Sequence, residues 1–114
     1  MRRFGLFLIV ACLTAQLTPG HVMRTLDGDT FVLYHVGTPP EERIRVLGVN
    51  TPERGQPNAA EATAFTKAWL ANGAFTVTAC KRDSFGRLLG TVERGGGSLS
   101  RALIEAGLGV PYRE

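Results

Sequence analysis

The feature that most restricts the fold of this chain is the shortness of its β-forming runs. His21–Thr25, Phe31–Tyr34, Arg43–Val49, Phe75–Ala79 and Arg87–Val92 are each a handful of residues long, and turn or loop sequences such as Asp27-Gly28, "VGTPPEE" and "ERGGGS" interrupt them. Gly48 marks a bend or bulge in the third run, where Ile44, Val46 and Val49 are apolar and Arg45 points the other way on the period of two. Helical signals occur at only two places. "PNAAEATAFTKAWLANG" follows the third run, with Ala62, Phe65, Trp69 and Leu70 on one face and Asn72-Gly73 as its stop. "SLSRALIEAG" follows the fifth, with Ser98 as N-cap, an apolar stripe of Leu99, Ala102, Leu103 and Ala106, and Gly107 as the residue after the C-cap. So small a sheet would be nearly all edge unless it closed on itself. The expected fold is therefore a β-rich α+β domain, a Greek-key barrel of the OB type with two helices.

The chain has 114 residues, enough for one compact domain. Its first stretch, "MRRFGLFLIVACLTAQLTPG", puts Arg2 and Arg3 before an apolar run from Phe4 to Leu13, the pattern of an export leader and too short to span a bilayer. The expected division is a leader over 1–20 and a domain over 21–114, with a cut near Ala15 as the other option. "IVAC" also resembles a lipobox, which would anchor the chain through Cys12. The expected location is secreted or periplasmic, with the lipid-anchored form as the alternative. The formal charge of +3 shrinks to an excess of one once Arg2 and Arg3 are discounted, so any polyanion must be met locally. Cys80 is left as a lone cysteine on a strand, expected to be buried.

Several familiar motifs fail. Asp27-Gly28-Asp29 begins like an EF-hand loop, but Phe31 and Val32 stand where an Asx and a glycine are needed. No phosphate-cradling GK[ST] exists, Gly96-Gly97-Ser98 lacks the closing glycine of a nucleophile elbow, and His21 and His35 are too isolated for zinc and read as surface residues. What remains is a set of oxygen ligands and guanidiniums at strand ends: Asp27, Asp29, Asn50, the Thr51 carbonyl, Glu53, Arg45 and Arg87. Hard oxygens hold a hard cation, guanidiniums grip phosphate, and a carboxylate directs water, which together suit phosphodiester chemistry. Each pair also reads as ordinary turn chemistry: Asp-Gly as a hairpin, Asn-Thr-Pro-Glu as a helix cap, Asp83–Arg87 as a tight turn.

In their order and spacing, "DGDT" (27–30), "RIRVLGVNTPE" (43–53), "AEATAFTKAWL" (60–70), "DSFGRLLG" (83–90) and "ALIEAGL" (102–108) resemble the staphylococcal nuclease (thermonuclease) family, from about Val22 to Tyr112. The resemblance implies an OB-fold barrel and a calcium-dependent hydrolase of DNA and RNA, acting as endonuclease or exonuclease and leaving 3′-phosphate and 5′-hydroxyl ends. It implies Asp29, Asn50 and the Thr51 carbonyl as calcium ligands, with Asp27 acting through water. Glu53 would direct the attacking water, and Arg45 and Arg87 would bind the reacting phosphate. Phe85 and Tyr112 would contact the nucleotide.

Three departures from the family pattern stand out. Asn50 replaces a carboxylate, Ser84-Phe85 replaces a cation and a phenol, and the chain stops at Glu114, before the family's last helix. The leading expectation is an exported monomeric nuclease acting on single-stranded or frayed DNA and RNA. The alternative is an OB-type module that binds nucleic acid or another polyanion without cleaving it, and a third option is a fragment of a longer gene. Charges at an exposed barrel mouth should matter little to folding.

Overall fold

The computed structural model of the chain describes residues 15–17, 19–35 and 40–113. Residues 1–14, with the lipid-anchor reading of Cys12, residues 36–39 and the side chains of 15–20, His35 and Cys80 lie outside what is described.

The elements run β1 (Ala15–Leu17), β2 (Pro19–Asp27), β3 (Thr30–His35), β4 (Glu41–Val46), β5 (Val49–Asn50), α1 (Ala59–Ala71), β6 (Thr76–Arg82), β7 (Leu88–Arg94), β8 (Gly97–Ser98), α2 (Leu99–Glu105) and β9 (Val110–Pro111). The main sheet has the order β1-β6-β7-β4-β3-β2, with β8 on the side of β7. Its two ends, β1 and β2, are successive pieces of one stretch of chain, so the sheet closes as a barrel with no long free edge. All pairings on this path are antiparallel except β4 with β7, which is parallel, as the OB-type Greek key requires. Residues 15–17 and 19–20 fall inside the expected leader, and a cut after Gly20 would remove β1, whereas a cut near Ala15 would leave the closing strand in place.

The barrel interior holds Phe31, Leu33, Ile44, Val46, Val77 and Val92, and Leu70, Leu99 and Leu103 close it from the two helices. Removing these side chains from water is the main stabilising term. Helix α1 buries Ala59, Ala62, Thr66 and Leu70, while Phe65 and Trp69 are partly buried against the same core. Thr66, fully buried, is the member that hydropathy does not flag. The third predicted strand is broken where expected: Gly48, at φ 91°, turns the chain between β4 and β5. Helix α2 behaves as its sequence dictates. The Ser98 side chain accepts from the Arg101 N–H at 3.1 Å, and at the other end Gly107 N–H reaches Ile104 O at 3.0 Å while Leu108 N–H reaches Leu103 O at 2.9 Å, a Schellman closure.

The end of α1 is held from outside the helix. Arg94, on β7, donates to the carbonyls of Trp69 (2.6 Å), Gly73 (2.9 Å) and Ala74 (3.1 Å), and lies 4.0 Å over the Trp69 ring. That satisfies carbonyls which the last turn leaves open. Among the described residues no helix is long and apolar enough to cross a membrane.

Candidate active site

The turn between β2 and β3 brings two carboxylates together. Asp27 Oδ1 accepts from the Asp29 N–H at 3.1 Å, the self-closing geometry of an Asx turn. Gly28 sits between them because nothing larger fits: a Cβ there would lie 2.8 Å from the Ala62 Cβ and from the Thr51 side chain. The Gly28 carbonyl accepts from the buried Thr66 hydroxyl at 2.7 Å, which ties the turn to α1. Asp29 is tied to β5 as well, since its Oδ2 accepts from the Thr51 N–H at 3.0 Å and its Oδ1 from the Thr30 hydroxyl at 3.1 Å. Helix and strand thus converge on one turn and orient both acids.

Backbone carbonyls aim the first guanidinium. Arg45 Nη1 donates to Val46 O at 2.7 Å and Val49 O at 2.8 Å, and it lies 3.6 Å from Asp29 Oδ2. The Tyr112 ring centroid is 5.5 Å from its guanidinium carbon. Arg87 is aimed by its own turn: its Nε donates to Asp83 Oδ2 at 2.7 Å, while Asp83 Oδ1 accepts the N–H groups of Phe85 (2.9 Å) and Arg87 (3.0 Å). Arg87 Nη1 reaches the Thr30 hydroxyl at 3.4 Å. Asp83, which the sequence shows only as a turn residue, is therefore the anchor of Arg87.

Asp27, Asp29, Arg45, Asn50, Thr51, Glu53, Arg87 and Tyr112 together line one cavity of about 310 Å³. Phe85 is the exception: it is 76% exposed and lies in an adjoining groove with Leu26, Asp27, Thr30, Arg43 and Arg87. Two expectations need correction. The charges are not all exposed at the mouth, because Asp29 and Arg45 are only 6% and 5% accessible; their hydrogen bonds to backbone make them part of the fold too. Nor does Asn50–Glu53 cap a helix. Helix α1 starts at Ala59 behind Asn58, and Glu53 instead closes a local turn in which its N–H meets Gln56 Oε1 at 2.9 Å and its carbonyl accepts the Gln56 N–H at 2.9 Å. His21, by contrast, is exposed as expected and stacks on Tyr34.

The two aspartates differ in proton affinity. Burial pushes the Asp27 carboxyl up to about 6, and its hydrogen bond to Asp29 and that residue's charge add to the rise. Burial would raise Asp29 as well, but the hydrogen bonds from Asp27 and the Thr51 N–H, the Arg45 charge and the Thr30 hydroxyl outweigh it and hold Asp29 below the usual carboxylate range.

The donor chemistry here is all oxygen, which fits a hard cation such as calcium and no thiolate- or imidazole-seeking metal. The charge available is modest. Among the described residues no three His, Cys, Asp or Glu side chains form a metal cluster. The Asn50 side-chain oxygen already accepts from Arg45 Nη2 at 3.3 Å.

Fold and site define a class: a small OB-type barrel with one pocket lined by carboxylates and guanidiniums. A family model described as staphylococcal nuclease homologue matches residues 43–114. The chain belongs to that family. It is 32% identical over 96 residues to a protein of Escherichia coli named as an uncharacterized endonuclease, covering 83% of this chain and 61% of that one. It is 34% identical over 95 residues to the thermonuclease of Staphylococcus hyicus and, over the same length, to that of Staphylococcus intermedius, covering 76% of this chain and 55% of each relative. The chain thus spans little more than half the length of these relatives.

Proposed function

We propose that this chain is a nuclease that hydrolyses phosphodiester bonds of single-stranded or frayed DNA and RNA to 3′-phosphate and 5′-hydroxyl ends. The observation that carries the reading is the convergence of Arg45, Arg87, Glu53 and the Asp27–Asp29 pair on one small cavity. The two guanidiniums hold the non-bridging oxygens of the phosphate and stabilise the charge that grows there during attack. Water adds to phosphorus as the Glu53 carboxylate takes its proton; the bond from phosphorus to the 5′ oxygen breaks, and that oxygen takes up a proton to leave as a hydroxyl. Calcium, held by Asp29, Asn50 and the Thr51 carbonyl with Asp27 reaching it through water, would supply further charge stabilisation at the phosphoryl oxygen. The Tyr112 ring borders the same cavity and offers a face to the nucleotide. The residues ahead of Ala15 serve, on this reading, as an export leader, and the domain works outside the cytoplasm as a monomer.

One observation favours a second reading, a binding module without turnover: the Asn50 side-chain oxygen, expected to face the ion, is engaged by Arg45 at 3.3 Å. Calorimetric calcium titration of wild type and Asn50→Asp separates the two. An added charge should tighten calcium binding and lower the calcium needed for half-maximal cleavage. A wild type without calcium heat or cleavage at millimolar metal, joined to a variant that gains both, would establish the binding module instead.

A further inference from the structure

Away from the active-site cavity, helix α1 and strand β2 enclose a second and larger one. It holds about 760 Å³, against about 310 Å³ for the first, and the two have no lining residue in common. Its wall on α1 is a single stripe of Thr63, Lys67, Leu70 and Ala71, spaced so that they share one helix face. The opposite wall is β2 over residues 21–25, where the pairing with β3 slips register between Val22 and Arg24. The slip breaks the alternation of a regular strand, so Val22 packs against the core while Met23 and Arg24 both stand exposed. Residues 73–75 close the end of the groove, held in place by Arg94, which donates to the Gly73 and Ala74 carbonyls at 2.9 and 3.1 Å. A preformed, mostly apolar pocket of this size with a few polar groups is the usual form of a small-molecule site.

The charge in this groove has one sign. Arg24 and Lys67 line it, no carboxylate does, and neither cation has a hydrogen-bond or ion-pair partner among the described residues. The Thr25 hydroxyl, on the same wall, is buried without a hydrogen-bond partner. We propose that the groove binds a single-chain amphipathic carboxylate, its tail against Val22, Leu70, Ala71 and Phe75, its head met by Arg24 and Lys67, and one head oxygen accepting from Thr25. Both halves of such a ligand are needed. A chain of phosphates would meet the two cations and leave the apolar wall in water, whereas a neutral oil would leave the cations and the hydroxyl unanswered.

The test is isothermal titration calorimetry of sodium dodecanoate, below its micelle concentration, into the full chain in calcium-free buffer, with octanoate, decanoate and dodecyltrimethylammonium for comparison. Affinity should rise about threefold to fourfold for each added methylene, and the cationic amphiphile should not bind. Arg24→Glu and Lys67→Glu should each weaken dodecanoate severalfold. Ala71→Trp, which fills the groove without changing its charge, should abolish binding while its thermal midpoint and its action on denatured DNA stay at wild type. Thr25→Val should bind more weakly with a midpoint at or above wild type, since it removes an unsatisfied hydroxyl; a threonine needed by the fold alone would lose stability and keep its affinity. No saturable heat from dodecanoate, an affinity that ignores chain length, or binding retained in Ala71→Trp overturns the site. Displacement of dodecanoate by inorganic polyphosphate overturns the ligand, reducing Arg24 and Lys67 to a plain phosphate patch. None of these outcomes bears on the nuclease reading, whose cavity lies elsewhere.

Discussion

Strand β4 carries a charged residue toward each end, and the two are treated in opposite ways. Glu42, on the core side, is buried and is met by Arg82 in a two-pronged pair at 2.9 and 2.7 Å, reaching across 40 residues of sequence. Arg45, near the other end, has Asp29 at 3.6 Å, while backbone carbonyls direct its guanidinium at 2.7 and 2.8 Å. The first arrangement cancels charge and leaves both groups satisfied. The second orients a cation toward a cavity in which three carboxylates and a second guanidinium also converge. Both charges meet a carboxylate, but only Arg45 is also aimed by backbone carbonyls into a cavity lined by further charged groups.

The sharpest way to break this contrast is to remove the oriented charges. Arg87→Ala should lower turnover on denatured DNA by about 10²–10³, the usual loss for a transition-state donor, and Glu53→Gln by about 10²–10⁴, the usual share of a general base, both with thermal midpoints near wild type. Arg45→Ala should lose turnover as strongly but also stability, because Arg45 is buried and bonded to two carbonyls. Unchanged turnover in all three variants would reduce the cavity to turn chemistry.

The closed pair should respond in the reverse manner. Arg82→Ala leaves the Glu42 carboxylate buried without its partner and should cost about 2 kcal/mol by chemical denaturation, a figure held down because Arg82 is half exposed. Its turnover should match wild type. Thr66→Val falls between the two regions: it strands the Gly28 carbonyl, should cost about 1–2 kcal/mol, and should weaken calcium binding measurably because the Asp27–Asp29 turn loses its tie to α1.

Much of the site was legible in the sequence because its groups sit at strand ends, where turn residues and period-two alternation locate them. Asp27, Asp29, Arg45 and Asn50 fall where the strand pattern predicts. What was hidden depends on long-range contacts. Thr66 looks like a neutral helix residue until Gly28, 38 positions away, presents a carbonyl to it. Arg94 reads as a loop residue of "ERGGGS", yet it ends β7 and closes the end of α1. Glu42 and Arg82 form no local pattern at all. The pairing of residues 15–17 with β6 was masked by an apolar leader signature running up to it. Asp83 was visible but undervalued, since a turn-forming aspartate and an arginine anchor look alike in one dimension.

The smallest expected effect is the acid response of that anchor. Burial would raise the Asp83 carboxyl, but the Arg87 and Phe85 N–H groups and the Arg87 side chain outweigh it and hold the group below its ordinary value. A carboxylate depressed in the fold contributes stability that is present above its unfolded pKa of about 3.9 and is lost as pH falls through its folded value. Asp83→Asn should therefore lower stability slightly at neutral pH and flatten the acid limb of the stability curve, the two forms converging in acid, as read from thermal midpoints between pH 2 and pH 7.

The most direct test of the central claim is end-group analysis of denatured DNA incubated with the purified chain, in calcium and in chelator. The account predicts calcium-dependent fragments that end in 3′-phosphate and 5′-hydroxyl, absent in Glu53→Gln. Full cleavage in chelator, 5′-phosphate ends, or no cleavage by the wild type in millimolar calcium would contradict it.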